Sequence, residues 1–405
     1  MSYLTLVAKV DAKPTVRDVL LDAMLSATKV FNGMIYALRQ EYEQTGKSKV
    51  SKQNLNKILK TLPRTKAYYS LSVQATREEV LGAYQSYFAL KKAGHADARP
   101  PGFRRKSCYS GLRYYDGYGV KLDGNQLTLS LGLSRLDGVR QVSLQIAYRT
   151  EVVFRRVVNV LLTYDTSNGM EAHLVVEVED GQAKGTRKVA IDLGETQAIS
   201  AMFEDGMDLL YSGREIKAIR RYWQKVRAKV KPPTAENRKK SRRYRQIERK
   251  ESRQVQHLLH LISKEFVERC SQTGVDTIAI GKLTGIREKM DYGERLNQRL
   301  HAWPFAKLTN MIAYKAKRQG IQIVQISEAY SSQTCHACHK VAKSNRTTRG
   351  SYACTCGWHA HADVNASANL FQSAFHVSPL TRSSGDVASP AVVSLITRRH
   401  TVCQA

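Results

Sequence analysis

Residues 3–11 alternate apolar and polar side chains as a half-buried strand does. Residues 15–46 then place Val19, Leu20, Met24, Leu25, Val30, Phe31, Ile35 and Leu38 at helical spacing. After a polar connector, Lys47 to Ser51, the pattern predicts a helix over 52–61 and a long amphipathic helix over 71–93, ending in Lys91-Lys92 before Gly94. This opening reads as one strand followed by an inserted helical module.

From Arg99 the texture changes. Arg99-Pro100-Pro101-Gly102-Phe103-Arg104-Arg105-Lys106 is not helical, because two prolines and a glycine break it, and it carries four cations around one aromatic. Residues 111–182 give short alternating runs separated by Asp116-Gly117, Asp123-Gly124-Asn125, Asp137-Gly138 and Asn168-Gly169, which predicts an antiparallel β-domain closing as a barrel. A third part begins near Thr186. It has strands at 188–192, 198–203 and 208–211, then basic helices at 214–231 and 236–270 broken at Pro232-Pro233. A strand at 276–281, a helix over 297–318, a strand at 321–326, a cysteine segment and a last helix at 363–375 follow. Three consecutive strands with an acid on the first, followed by helices, are the opening of a ribonuclease-H-like fold. Residues 378–405 are Ser/Thr/Pro-rich and expected to be poorly ordered.

At 405 residues the chain exceeds one compact core, so two or three domains are expected. The formal charge of +29 points to a polyanion, nucleic acid foremost, since each neutralised phosphate releases condensed counterions. No apolar run approaches a membrane span, and Met1 to Val7 lacks the shape of a signal peptide, so a cytosolic protein without a membrane partner is expected. Seven cysteines, four of them at metal-ligand spacing, argue against a disulfide framework.

Two carboxylates and the cysteines carry the chemistry. Asp192 lies in the middle of an apolar strand, flanked by Ile191 and Leu193, where a buried charge is costly unless a cation meets it, and Mg²⁺ is the natural candidate. Cys335-x-x-Cys338 and Cys354-x-Cys356 have the spacing of a structural zinc ribbon holding one ion. The second pair is one residue short, which leaves open a set in which His336, His339 or His359 replaces one sulfur. Asp363, in Ala362-Asp363-Val364-Asn365-Ala366, has the ordinary role of a helix N-cap as its alternative. With Asp192 it makes sense as a ligand of a two-metal nuclease, a chemistry that usually wants a third carboxylate. The run containing Arg220, Arg221, Arg238, Lys239, Lys240, Arg242 and Arg243, interleaved with Tyr222, Trp223 and Tyr244, has few acids. It is read as a nucleic-acid contact made mostly to phosphate.

The order of these features resembles TnpB, the OrfB-type protein of bacterial insertion sequences, and the related small type V CRISPR effectors. The likeness is close over 186–375, through Ser-Gln-Thr-Cys-x-x-Cys, Cys-x-Cys-Gly-Trp and Ala-Asp-x-Asn-Ala. It is looser at Phe31-Asn32 and Pro101 to Lys106, where it marks Arg104, Arg105 and Lys106 as nucleic-acid contacts. It implies a multidomain α+β protein. The expected parts are a wedge-like β-barrel (1–12 and 99–185) with a helical recognition insertion (13–98), a RuvC nuclease domain (186–332 and 360–377), an inserted zinc ribbon (333–359) and a tail (378–405). It further implies a guide RNA, a double-stranded DNA target and two catalytic Mg²⁺ ions. One position departs from the family. Its central glutamate belongs at the strand end where this chain has Gly281, and the nearest following acid, Glu288, is the expected replacement, with Asp291 and Glu294 behind it. The resulting expectation is an RNA-guided DNA endonuclease using Asp192, Glu288 and Asp363. Its rivals are a nuclease-deficient RNA-guided binder and a transposase proper.

Overall fold

The computed structural model describes residues 2–46, 49–132, 135, 137–148, 152–166, 169–230, 241–282, 303–348, 350–379 and 390–393. They fall into two compact units that divide between Glu179 and Asp180.

In the first unit, strand β1 (Ser2–Asp11) is followed by helices α1 (Pro14–Thr45), α2 (Lys52–Thr61) and α3 (Ser70–Lys92). Proline in the first turn of α1 needs no backbone donor there, and Gly46 at φ 67° ends the helix in the left-handed region. The Ser51 hydroxyl accepts from the Asn54 amide and caps α2. Six short strands complete the unit: β2 (Leu112–Tyr115), β3 (Val120–Asp123), β4 (Gln126–Ser130), β5 (Gln141–Ala147), β6 (Arg156–Asp165) and β7 (Gly169–Val178). With β1 they form an antiparallel sheet in the order β2-β6-β7-β1-β5-β4-β3. The expected barrel closes only weakly. Between the end strands β2 and β3 there is, among the described residues, only the isolated bridge of Tyr115 to Tyr118 in the turn that joins them, while β2 ladders with β6 and β3 with β4. One apolar core runs from Leu20, Met24 and Phe31 of the helices to Leu129, Leu162 and Leu174 of the sheet.

The second unit is built on a six-stranded sheet: β8 (Arg187–Asp192), β9 (Gln197–Phe203), β10 (Asp208–Ser212), β11 (Val275–Gly281), β12 (Gln322–Ile326) and β15 (Ala391–Val393). The order is β12-β11-β8-β9-β10-β15. The pairs β8/β9 and β9/β10 are antiparallel, and β8/β11, β11/β12 and β10/β15 are parallel. Both faces are covered, which is why β8 reads as continuously apolar. On one face Val189, Ile191, Ile278 and Ile280 pack with α4 (Arg214–Ala228), α5 (Arg242–Gln272) and α6 (Phe305–Arg318). On the other, the small Ala190 and Ala279 let α7 (Ala362–Phe375) approach through Val364, Leu370 and Phe371. A two-stranded ribbon, β13 (Ser351–Ala353) with β14 (His359–His361), lies between β12 and α7 in the chain.

Several expectations shift. Helix α4 stops at Ala228, earlier than expected, and α5 is described from Arg242, behind a Ser241 cap; residues 231–240 between them lie outside the described residues. Helix α6 begins at Phe305, directly after Pro304, whose ring ill suits a helix interior. Part of the tail expected to lack order is ordered: Ala391-Val392-Val393 pairs with Leu209-Leu210-Tyr211, since β10 would otherwise leave a row of unpaired backbone groups at the sheet edge.

Candidate active site and zinc ribbon

Side chains two residues apart on a strand share a face. Asp192 therefore projects on the same side of the sheet as Ala190, toward α7, and Gly281 on the same side as Ala279. Asp363 sits in the first turn of α7. Ser200, the register partner of Asp192, ties the two together, because its hydroxyl donates to the Asp363 backbone carbonyl at 2.9 Å. The ordinary alternative for Asp363 falls away, since the N-cap of α7 is His361, whose Nδ1 accepts from the Asp363 amide. The Asp363 carboxylate instead meets the Arg346 guanidinium at 3.2 Å.

A further carboxylate, Glu328, which the sequence reading did not single out, stands near Asp192. Gly281 ends β11 in register with Ile326 of β12, and two residues past Ile326 stands Glu328. A Cβ built on Gly281 would collide with the Glu328 carboxylate and Cγ, so Glu328 fills the volume a side chain at 281 would take. Its Oε1 is buried without a hydrogen-bond partner among the described residues. Burial first and the Asp192 charge second push the Glu328 carboxyl up to about 8. Burial, then Asp363, pushes Asp192 up to about 7, with Arg346 pulling the other way. The charge of Asp192 reaches Glu328 and that of Asp363 reaches Asp192, so the three carboxylates share one region, although among the described residues only the four cysteines lie close enough together to hold an ion as they stand. Hard oxygen donors of this kind suit Mg²⁺. A signal was present in the sequence: Glu328 follows the parallel strand next to the one that lacks its acid. Glu288, Asp291 and Glu294 lie outside the described residues.

The four cysteines converge. Their sulfurs lie within 4.8 Å of one another, with Cys335 to Cys356 and Cys338 to Cys354 each at 3.7 Å. A tetrahedral zinc with Zn–S bonds of about 2.3 Å sets its sulfurs about 3.8 Å apart, so the set fits the ion. No histidine joins the cluster among the described residues, and the all-sulfur set stands. The short second knuckle is possible because Gly357 takes φ 91°, and its amide donates to the Cys354 carbonyl. The Cys356 backbone amide also draws the Cys354 thiol below its ordinary range.

The cations divide into inward and outward groups. Arg104 works inside its own unit: it pairs with Glu79 at 2.7 Å, donates to Ser110 and lies 3.8 Å over the Phe31 ring. The Asn32 side chain grips the Arg104 backbone through both N–H and C=O, which leaves Arg105 and Lys106 exposed on an anchored segment. Arg220 faces the buried Glu251 at 3.7 Å, whereas Arg221, Arg242 and Arg243 are exposed. Arg242 and Arg243 stand at the start of α5, where the helix dipole is also positive, an arrangement that favours an anionic partner. Arg238, Lys239 and Lys240 lie outside the described residues. No helix among the described residues is long and apolar enough to cross a membrane.

Two family models match the chain: OrfB_IS605, described as a probable transposase, over residues 173–287, and the Cas12f1-like TNB domain over 305–370. The TnpB-like protein ORF457 of Acidianus two-tailed virus is 27% identical over 401 residues, 88% of this chain and 83% of that protein. The CRISPR-associated endodeoxyribonuclease Cas12f1 of Sulfoacidibacillus thermotolerans is 35% identical over 112 residues, 27% of this chain and 25% of that one. In fold, a Cas12f1–sgRNA–target DNA complex solved by cryo-EM superposes with a TM-score of 0.60 at 15% identity, covering 88% of this chain and 83% of that one. Matched by models in two segments and by a relative along most of its length, the chain is similar to the TnpB-like proteins and, over a shorter stretch, to a small Cas12f effector.

Proposed function

We propose that the protein is an RNA-guided DNA endonuclease whose RuvC-type site consists of Asp192, Glu328 and Asp363. The observation that carries this reading is Glu328 standing in the space left by Gly281, next to Asp192. The missing family glutamate, the one feature that favours a binder without cleavage, is answered from the neighbouring strand. The three carboxylates would hold two Mg²⁺ ions, which when bound activate a water and stabilise the leaving 3′ oxygen of the phosphodiester. Arg346 orients Asp363 and brings a cation to the place where a phosphate would lie. Ser200 fixes the start of α7 against β9, so that two carboxylates from distant parts of the chain keep one geometry. Zinc on Cys335, Cys338, Cys354 and Cys356 would be structural, since protein fills all four positions. A guide RNA would supply sequence specificity, and Arg105, Lys106, Arg221, Arg242 and Arg243 would contact phosphates of the nucleic acids.

The test is cleavage of matched double-stranded DNA by the full chain with its copurified RNA in Mg²⁺. Asp192→Ala, Asp363→Ala and Glu328→Gln should each abolish cutting and keep DNA binding, while Glu288→Gln should cut as wild type does. Gly281→Glu in a Glu328→Ala background should recover part of the activity. A wild-type protein that binds guide-matched DNA without cutting it is the non-enzymatic binder instead. Loss of activity in Glu288→Gln but not in Glu328→Gln would return the third ligand to Glu288.

A further inference from the structure

Helix α4 has two faces of different chemistry. Toward α5 it turns Arg220 and Arg227, which share the buried Glu251 at 3.7 and 3.0 Å, and Trp223, whose indole N–H donates to Gln254. Toward solvent it turns Arg214, Arg221, Tyr222, Lys225 and, one residue past its end, Lys229, all exposed. Arg221, Lys225 and Lys229 recur every four residues, so their charges align along one ridge. Glu215, the one acid of the helix, is half-buried. In the middle of the ridge Tyr222 is 59% exposed, and its ring packs edge-to-face on Trp223 with centroids 5.1 Å apart and planes at 77°. Since Gln254 holds Trp223, the phenol ring is braced from behind.

The position of the ridge gives it direction. The Gly213 amide, just before α4, donates to the Thr196 carbonyl at 2.8 Å, and a Cβ at Gly213 would strike the Glu195 backbone. The helix thus springs from the loop that follows Asp192. From Arg214 to Lys229 the row runs roughly 22 Å outward at 1.5 Å per residue.

We propose that this face of α4 is a track for the single-stranded DNA entering the carboxylate site, with Tyr222 the platform on which one unpaired base stacks. The proposal rests on the nuclease reading above, because that reading makes a DNA strand the species led to Asp192. A lone ring on a convex, cationic helix suits an unpaired base, since paired bases in a duplex have their faces covered by neighbours. Stacking on it is indifferent to sequence, as every base has a π-face.

The experiment measures binding of a fluorescein-labelled ten-nucleotide oligodeoxythymidylate to the full chain with its copurified RNA, in EDTA so that no cutting is required. Tyr222→Ala should weaken binding about tenfold at every salt concentration, and Tyr222→Phe should bind as wild type does. Lys225→Gln should lower the salt slope by about 0.7, whereas Tyr222→Ala should leave it unchanged. An oligonucleotide carrying 5-iododeoxyuridine should photocrosslink to Tyr222. Wild-type affinity in Tyr222→Ala, a Tyr222→Phe as weak as the alanine variant, or a crosslink from Tyr222 to the copurified RNA instead of the DNA would each overturn the track. A protein that never cuts DNA would sink the nuclease reading but leave this binding measurement intact, so the two failures are distinguishable.

Discussion

Glu328 makes a prediction whose sign follows from its surroundings. An acid whose pKa is raised on folding keeps its proton longer in the native state than in the unfolded chain. Between about 4.5 and 8 the native state therefore binds more protons, and stability falls as pH rises through that window. One pKa unit corresponds to about 1.4 kcal/mol, so a shift from 4.5 to about 8 corresponds to at most about 5 kcal/mol. Water entering a partly open site reduces this, and about 2 kcal/mol is a fair working value. The perturbation is Glu328→Gln, which keeps shape and cannot ionise. The assay is thermal denaturation of both proteins in EDTA at pH 5.5 and 8.5. The variant should gain on wild type at the higher pH by roughly 4–8 °C, with little difference at the lower one. Saturating Mg²⁺ should raise the wild-type midpoint at pH 8.5 and move the variant less, because a ligand that binds only the native state stabilises it. Identical pH dependence of the two proteins in EDTA would refute the placement of Glu328 beside Asp192.

Three further outcomes are expected. Freshly purified protein should hold one zinc per chain, and Cys338→Ser should lose that zinc and melt at lower temperature, because binding and folding of such a ribbon are one equilibrium; elemental analysis and calorimetry check both. Asn32→Ala should cost about 1–3 kcal/mol by stranding the Arg104 backbone amide and carbonyl it now pairs, seen as a lower denaturant midpoint and faster proteolysis near residues 101–106. Replacing Arg242 and Arg243 together by Gln should flatten the salt dependence of duplex binding by up to about 0.9 per lost phosphate contact, with no change in sequence preference.

Much of this protein is legible in one dimension. Hydrophobic period alone places β1, α1, α2 and α3 within a residue or two of their observed ends, because a 32-residue amphipathic helix averages over its local exceptions. The cysteine spacing announces the convergence of the four sulfurs before any coordinates, since a knuckle is a local structure. Asp192 is visible as a charge within an apolar strand, a local contradiction of the kind expected at functional sites.

What the tertiary structure alone decides are the relations between segments. Along the chain the nearest acid after Gly281 is Glu288, which lies outside the described residues, while parallel pairing of β11 with β12 brings Glu328 to Gly281 from 47 positions away. Sequence separation is no guide there, because parallel neighbours are joined by a crossover that consumes a whole helix. For Asp363 the sequence left an N-cap as the alternative to a metal ligand; the fold gives the cap to His361 and turns the carboxylate toward Arg346. Arg104 and Arg105 are indistinguishable as letters, yet one is spent on Glu79 and Phe31 and the other faces solvent. Residue type states what chemistry a side chain can do; which way its backbone turns it, and what lies opposite, is a property of packing among segments distant in the chain.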